Sequence, residues 1–354
     1  MQKLGIKSFV KEHHLEQQTV AAGVSGGADS LALVLGLQEA GCRVVALTVD
    51  HRLRKESAKE AEYVAKVMQA AGIEHHILRW DGSKPESSLE EAARKARYKL
   101  MFDFCRQHNI RFLATGHHRR DQAETFLLRL ARGSGVFGLS GILPVSERNG
   151  IILIRPQLDA APEDLRAYLR RKGICWVEDP MNDDADFLRV KIRKFLPRLA
   201  EIGIDEKRLA ATAATLANTR NFIQDTIDEF AASQVRFWDG AAVSLSWRKF
   251  KELPAEIARP LLGQLIGKTG GGDYQPEAAE LQRILTAGAD FKGCTLGKCE
   301  LFIAAKRLWI VPQDEGNRLM SKEEWAAFAA RHPEYRNAGL PYKVRRALKE
   351  KLEG

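Results

Sequence analysis

Thr19-Val20-Ala21-Ala22-Gly23-Val24-Ser25-Gly26-Gly27-Ala28-Asp29-Ser30-Leu31-Ala32-Leu33-Val34-Leu35 is the stretch that decides the fold. Val20 to Val24 reads as a short apolar strand, Ser25 to Gly27 as a turn of small residues, and the run after Ser30 as a helix. Small residues at such a turn let backbone N–H groups come close to an anion, and the helix N-terminus adds partial positive charge. Ser25 and Ser30 add hydroxyl donors. Asp29 falls in the first helical turn, where a carboxylate complements the helix dipole. The same carboxylate suits Mg²⁺ beside phosphates, because Mg²⁺ takes one or two carboxylates together with phosphate oxygens. A plain glycine-containing turn is the competing reading, and the order strand, loop, helix speaks for the phosphate loop.

Outward from this loop, the first 120 residues alternate. Val20 to Val24, Arg43 to Val49, Glu74 to Trp80 and Arg111 to Thr115 read as strands. Ser30 to Ala40, Ser57 to Ala71 and Leu89 to Gln107 read as helices between them. Such alternation predicts an α/β fold, a doubly wound parallel sheet with helices on both faces. Ligands of such sheets bind at the carboxyl ends of the strands. Three polar clusters fall there and predict one crevice: the loop at Ser25, Asp50-His51, and Gly116-His117-His118.

A helix is predicted from Asp121 to Arg132, followed by Gly133-Ser134-Gly135-Val136-Phe137-Gly138. The glycine spacing is that of a dinucleotide loop, but it follows a helix and not a strand, so the reading is a helix end and a loop. Asp121 and Glu124 stand three apart and share a helix face. Two readings stay open: a pair of working carboxylates, or a capping box with Asp121 at N-cap and Glu124 at N3. Glu90 to Tyr98 is a charged helix that spacing alone makes a solvated face. Past Pro156 the pattern turns helical, at Ala161 to Lys172 and Lys207 to Ser233, and Gly293 to Pro312 reads as short strands with turns at Gly297-Lys298 and Lys306-Arg307. The expected division is a catalytic domain over residues 1–210, a smaller, mainly helical domain over 211–312, and a short remnant or tail over 313–354.

The 354 residues hold 55 Lys and Arg against 46 Asp and Glu, a net charge of +9, which favours a polyanionic partner. Five cysteines, none in a C-x-x-C pair, argue against a disulfide framework or a zinc ribbon. No apolar run reaches the ~18 residues that a membrane helix needs, and no leader is recognisable, so a cytoplasmic location is expected.

Taken together, several segments resemble the tRNA(Ile)-lysidine synthetases, of the N-type ATP pyrophosphatase (PP-loop) superfamily. They are SGGADS at 25–30, VDHRLR at 49–54, EEAARKARY at 90–98 and GHHRRDQAETFLLRLARGSG at 116–135. GLSG at 138–141, RPQL at 155–158, WVEDPMND at 176–183 and, more weakly, TLGKC at 295–299 complete the likeness. The resemblance implies a ligase that uses ATP and Mg²⁺ to adenylate C2 of the wobble cytidine of an isoleucine tRNA (CAU anticodon). Free L-lysine then displaces AMP. It implies that Ser25, Gly26, Gly27, Ala28, Asp29, Ser30, Asp50, His51 and His117 bind ATP, with Asp29 also at the metal. Asp29, Arg97, Asp121 and Glu124 carry catalysis, and Arg132, Arg189 and Arg193 meet the RNA. A homodimer stays open. Two departures stand out: Arg120 where the family often has an acid before Asp121, and Arg189-Val190-Lys191 where it tends to have Arg-Asn. The alternatives are a cytidine thiolase of the same superfamily and a non-catalytic tRNA-binding protein.

Overall fold

The computed structural model describes residues 4–52, 57–82, 89–178, 188–271, 276, 278–288, 291–313 and 320–353. The chain divides into two compact units, Met1–Arg220 and Asn221–Gly354. In the first, α1 (Ile6–Glu12) leads to β1 (Thr19–Gly23), α2 (Ala28–Glu39), β2 (Arg43–Asp50), α3 (Ser57–Ala70) and β3 (Glu74–Arg79). Next come α4 (Leu89–Gln107), β4 (Phe112–Ala114), α5 (Arg119–Ala131), α6 (Val136–Leu139), β5 (Val145–Arg148) and β6 (Ile151–Ile154). The last are α7 (Pro162–Arg171), α8 (Leu188–Glu201) and α9 (Glu206–Gln234), which runs past the boundary.

The expected parallel sheet is present, in the order β3-β2-β1-β4-β6-β5. Strand β1 lies at its centre, with Val20 opposite both Val44 and Phe112. The chain winds outward from β1 to β3 and returns to β4 on the other side. The order therefore reverses between β1 and β4, the switch point beyond whose carboxyl ends sheets of this kind take their ligands. Helix α2 is buried on nearly all sides, Leu31, Ala32, Leu33 and Val34 included, because α1 and α7 cover the flank that the sheet leaves. Truncating Leu33 to Ala would cost on the order of 3 kcal/mol. Met101, Phe102 and Cys105 of α4 fill the opposite face.

The periodicity reading misses the β5–β6 hairpin. Its two-residue turn, Asn149-Gly150, has φ of 53° and 76°, the left-handed pair that suits a tight hairpin. β6 extends the parallel sheet and β5 closes its edge antiparallel.

The second unit contains β7 (Val235–Trp238), β8 (Ala242–Ser246), α10 (Trp247–Lys251), α11 (Ala255–Gly270) and α12 (Ala278–Thr286). β9 (Cys294–Leu296), β10 (Cys299–Ala304), β11 (Arg307–Pro312), α13 (Lys322–Arg331) and α14 (Tyr342–Glu353) follow. Beside the expected helices, it has a five-stranded antiparallel sheet, β7-β8-β11-β10-β9. The C-terminal helices share a core with that sheet: Phe328, Val344 and Leu348 pack with Trp238 and Trp309. Three of the five basic residues of α14 face the chain's own acids, Lys343 and Arg346 at Glu300 and Lys349 at Glu324.

Candidate active site

The loop after β1 closes on itself. The Ser25 N–H donates to Ser30 Oγ at 3.1 Å, and Ser30 Oγ donates to Gly27 O at 3.0 Å. Gly26 has φ of 87°, and a Cβ there would stand 3.1 Å from Val64, so this position requires glycine. Gly27 is different. It is the N-cap of α2 in extended backbone, without a side-chain cap, and a Cβ would meet only ordinary contacts at 3.6 and 3.9 Å. Packing does not demand glycine at 27. Its absent side chain leaves the N–H groups of the first helical turn bare, which is what a phosphate group needs. The expected anion loop therefore has a fitting cradle in the structure.

Behind the loop, Thr48 Oγ1 on β2 donates to Val24 O at 3.0 Å and lies 2.8 Å from His75 Nε2 on β3. The threonine proton is used on the carbonyl, so the ring nitrogen is the donor of the second bond. Val177 N–H donates to Gly26 O at 2.9 Å from the far side. The sequence reading assigned nothing to Thr48 or His75; a Thr in an otherwise apolar strand is the signal that was there.

The loop after β4 forms the facing wall. Gly116 approaches so closely that a Cβ would lie 3.2 Å from Asp29 C and O and from Ser30 N. His118 caps α5: Asp121 N–H donates to its Nδ1 at 3.4 Å, and the His118 N–H donates to Asp121 Oδ2 at 2.9 Å. The capping box is thus real but three residues earlier than expected. Asp121 is N3 and not N-cap, and Glu124 lies one turn further on, outside the box. With Nδ1 accepting, the His118 proton sits on Nε2, 3.4 Å from Asp29 Oδ2. Burial works against the charged ring, but the hydrogen bond to Asp29 and the Asp121 and Asp29 charges outweigh it and hold His118 above the ordinary histidine value. Burial pushes half-buried His117 down to about 4, opposed by Asp121 and reinforced by Arg155, Arg94 and Arg189. His117 Nδ1 lies 2.9 Å from Thr115 Oγ1. Of the two histidines, His118 is the one that touches the Asp29 carboxylate, and pattern alone did not separate them.

Glu124 is fully buried. Arg193 Nε donates to its Oε1 at 2.8 Å, and Oε2 has no partner among the described residues. Burial raises this carboxyl, and the Arg193 hydrogen bond and charge only partly offset it. An uncompensated buried oxygen is costly in a folding role and useful in a site that receives a cation. Arg193, expected at RNA, is therefore turned toward a carboxylate. Arg189 is half-buried on α8, and Arg132 is exposed at the end of α5. Burial first, then the charges of Arg220, Arg189 and Arg132, push Arg129 down, so four guanidinium groups gather beside residues 133–141. Arg129 also fixes that segment, donating to Gly138 O at 2.6 Å and Gly141 O at 2.8 Å.

At the end of β2, Asp50 accepts from the Arg52 N–H at 2.9 Å. His51 stands edge-on to Trp80 at 5.8 Å, and Arg97 Nε of α4 lies 3.4 Å from His51 Nε2. Asp50, His51 and Arg97 thus gather at one strand end. Arg120 pairs with Glu206 at 2.6 Å and Glu163 at 2.7 Å, tying α5 to α9 and α7. Arg120 is thus a structural clamp. Gln157, in the RPQL segment, is fully buried, and its Nε2 reaches Asp29 O at 2.9 Å and Gly116 O at 3.2 Å. Residues 53–54 and 179–183 of the quoted segments lie outside the described residues.

For Mg²⁺, Asp29 is one carboxylate, 42% exposed, at the mouth of the cradle. Among the described residues no three His, Cys, Asp or Glu side chains group as a metal site. The donor set fits a cation held jointly with phosphates and not one held by protein alone.

Comparisons agree with this geometry. Residues 2–199 match the family model of the PP-loop domain. A protein from Ruegeria pomeroyi named tRNA(Ile)-lysidine synthase is 38% identical over 87% of this chain and 72% of its own length. One of the same name from Methylobacterium nodulans is 38% identical over 83% of this chain and 90% of its own length. Among solved structures, a U34-tRNA thiolase from Methanococcus maripaludis, with its [4Fe-4S] cluster, shares the fold: the TM-score is 0.52 at 18% identity, over 60% of this chain and 78% of that one. The sheet order, the loop over 25–30 and these relatives together place the chain in the tRNA(Ile)-lysidine synthase family of PP-loop proteins.

Proposed function

We propose that this chain is an ATP-dependent ligase that forms lysidine at the wobble cytidine of an isoleucine tRNA with a CAU anticodon. In the first step the C2 oxygen of the cytidine attacks the α-phosphate of ATP, and pyrophosphate leaves. In the second, the lysine amino group attacks C2, the C2–O bond breaks, AMP leaves with that oxygen, and the amine loses a proton. The observation that carries this reading is His118, which stands between Asp29 of the phosphate loop and Asp121 of the facing helix. It joins an adenylation wall to a carboxylate wall in one crevice.

The Ser25–Ser30 loop and the bare first turn of α2 would hold the phosphates. Mg²⁺, when bound, would neutralise phosphate charge beside Asp29. Asp50, His51 and His117 border the nucleotide side, and Arg97 lies over that end of β2. Asp121 and Glu124 supply negative charge for the lysine ammonium, and a carboxylate there can take the amine proton. Arg132 and Arg189 offer guanidinium groups to RNA phosphates. Arg193 would set the Glu124 carboxylate.

The thiolase alternative needs reactive cysteines or a cluster site. Cys42, Cys105 and Cys299 are buried, and burial raises each thiol to about 11, the opposite of an activated sulfur. The test is mass spectrometry of unmodified isoleucine tRNA after incubation with ATP and labelled lysine. Label at the wobble cytidine is the expected result; pyrophosphate release without lysine incorporation would sink the assignment.

A further inference from the structure

Two walls of the crevice come from different strands, and one side chain spans them. Gln157 is fully buried and donates from a single nitrogen to the main-chain carbonyls of Asp29, at 2.9 Å, and Gly116, at 3.2 Å. Both acceptors are carbonyls, which fixes the nitrogen on that side of the carboxamide. Asp29 belongs to the first turn of α2, and Gly116 to the loop that leads to His118. At this same junction the backbones nearly touch, since a Cβ on Gly116 would lie 3.2 Å from Asp29 C and O. The other end of Gln157 is unsatisfied among the described residues: Oε1 is buried and meets no partner there. An apolar side chain of that volume would fill the space without leaving an oxygen unpaired, so packing does not account for a glutamine here.

We propose that Gln157 is a positioning residue that sets the spacing between the phosphate-loop helix and the Gly116–His118 wall. This rests on the function proposed above. The Ser25–Ser30 loop binds phosphates by itself, but adenylation needs the base held by the facing wall to meet the α-phosphate in line. Displacement of about 1 Å between such groups costs on the order of a hundredfold in rate.

Two variants test this. Gln157→Met keeps the volume and removes both donations. Gly116→Ala leaves Gln157 in place and forces the same two backbones apart. Both are assayed by pyrophosphate release with tRNA and lysine, normalised to ATP-binding protein. Turnover should fall about tenfold to a hundredfold while KM for ATP stays within about threefold, because the loop itself is whole. Hydrogen exchange gives a readout without chemistry. The hydrogen-bonded amides beside the junction, Leu31 on one wall and His118 and Arg119 on the other, should exchange faster together, with those of β1 and β2 unchanged. Wild-type turnover in Gln157→Met, or faster exchange at one wall alone, overturns the proposal. If the wild-type protein itself releases no pyrophosphate, the proposed function fails, and the paired exchange result still decides what Gln157 does.

Discussion

His118 Nε2 lies 3.4 Å from Asp29 Oδ2, so the carboxylate at the mouth of the phosphate loop is addressed by a ring that caps α5. Asp29 caps nothing itself and is 42% exposed. Replacing Asp29 by Asn should therefore leave the fold standing, with little change in melting temperature. Pyrophosphate release should drop at least a hundredfold, about 3 kcal/mol of transition-state stabilisation. Undiminished release would remove Asp29 from the phosphate chemistry.

Asp121 has a structural duty and a proposed chemical one, and two variants separate them. In Asp121→Asn an oxygen still accepts from the His118 N–H, so the helix start holds. In Asp121→Ala that acceptor is gone, at a cost of about 1 kcal/mol. Both should fail to transfer lysine, and only the alanine variant should melt earlier. Thermal melting combined with analysis of the tRNA product checks this. Lysidine formed at the wild-type rate by Asp121→Asn would leave capping as the residue's whole role.

Much of this architecture is legible in the residues. Alternating strands and helices gave the parallel sheet, and the three polar clusters do fall at the carboxyl ends of its strands, because hydrophobic periodicity is a local, additive signal. The hairpins escaped. Asn149-Gly150 and Asp239-Gly240 both carry left-handed turn signals at φ of 44° to 76°, but the strands beside them are too short for an alternation count to register. The shifted capping box escaped for another reason. Acid spacing suggested Asp121 as N-cap, whereas the cap is a histidine, a type outside the usual Ser, Thr, Asp and Asn. Thr48 and Gln157 act on main-chain carbonyls and His75 on the Thr48 hydroxyl, between partners 24 to 128 residues apart in sequence, and no local window contains both partners.

Glu124 should show function opposing stability. Burial raises its carboxyl, so the folded chain keeps this proton to a higher pH than the unfolded chain does. The stability linked to that proton is fully present below the unfolded value, about 4.3, and is lost as pH rises through the folded value. Glu124→Gln mimics the protonated form. Melting temperature at pH 8 should equal or exceed that of the wild type, the difference should vanish near pH 4, and lysine transfer should be lost. A variant that melts well below wild type at pH 8 would mean that the Arg193 pair outweighs the burial cost.

Arg120 clamps α5 to α7 and α9 through Glu163 and Glu206. An acid at this position would set three carboxylates together. Arg120→Asp should lose on the order of 2 kcal/mol of stability, since removing one partner strands the others. KM for ATP should not improve, because the side chain is engaged by Glu163 and Glu206 and not by the phosphate loop. A tighter ATP KM in Arg120→Asp would restore a second metal contact to consideration.

The Thr48–His75 support should make the loop sensitive to acid. Burial first, and then the neighbouring His76, hold His75 below the ordinary histidine value. The unfolded chain thus takes up a proton on this ring at a higher pH than the folded chain. Stability from the neutral ring is present above about pH 6.5 and falls as pH drops below it. His117, held down to about 4, has the same sign. His75→Gln keeps a side-chain donor near Thr48 and removes one titrating ring. The fall in melting temperature between pH 7.5 and 5.5 should be smaller in this variant than in the wild type, whatever their difference at pH 7.5. Equal slopes would show that His75 does not discharge its proton on folding, and that Thr48 holds the Val24 carbonyl without help from a neutral imidazole.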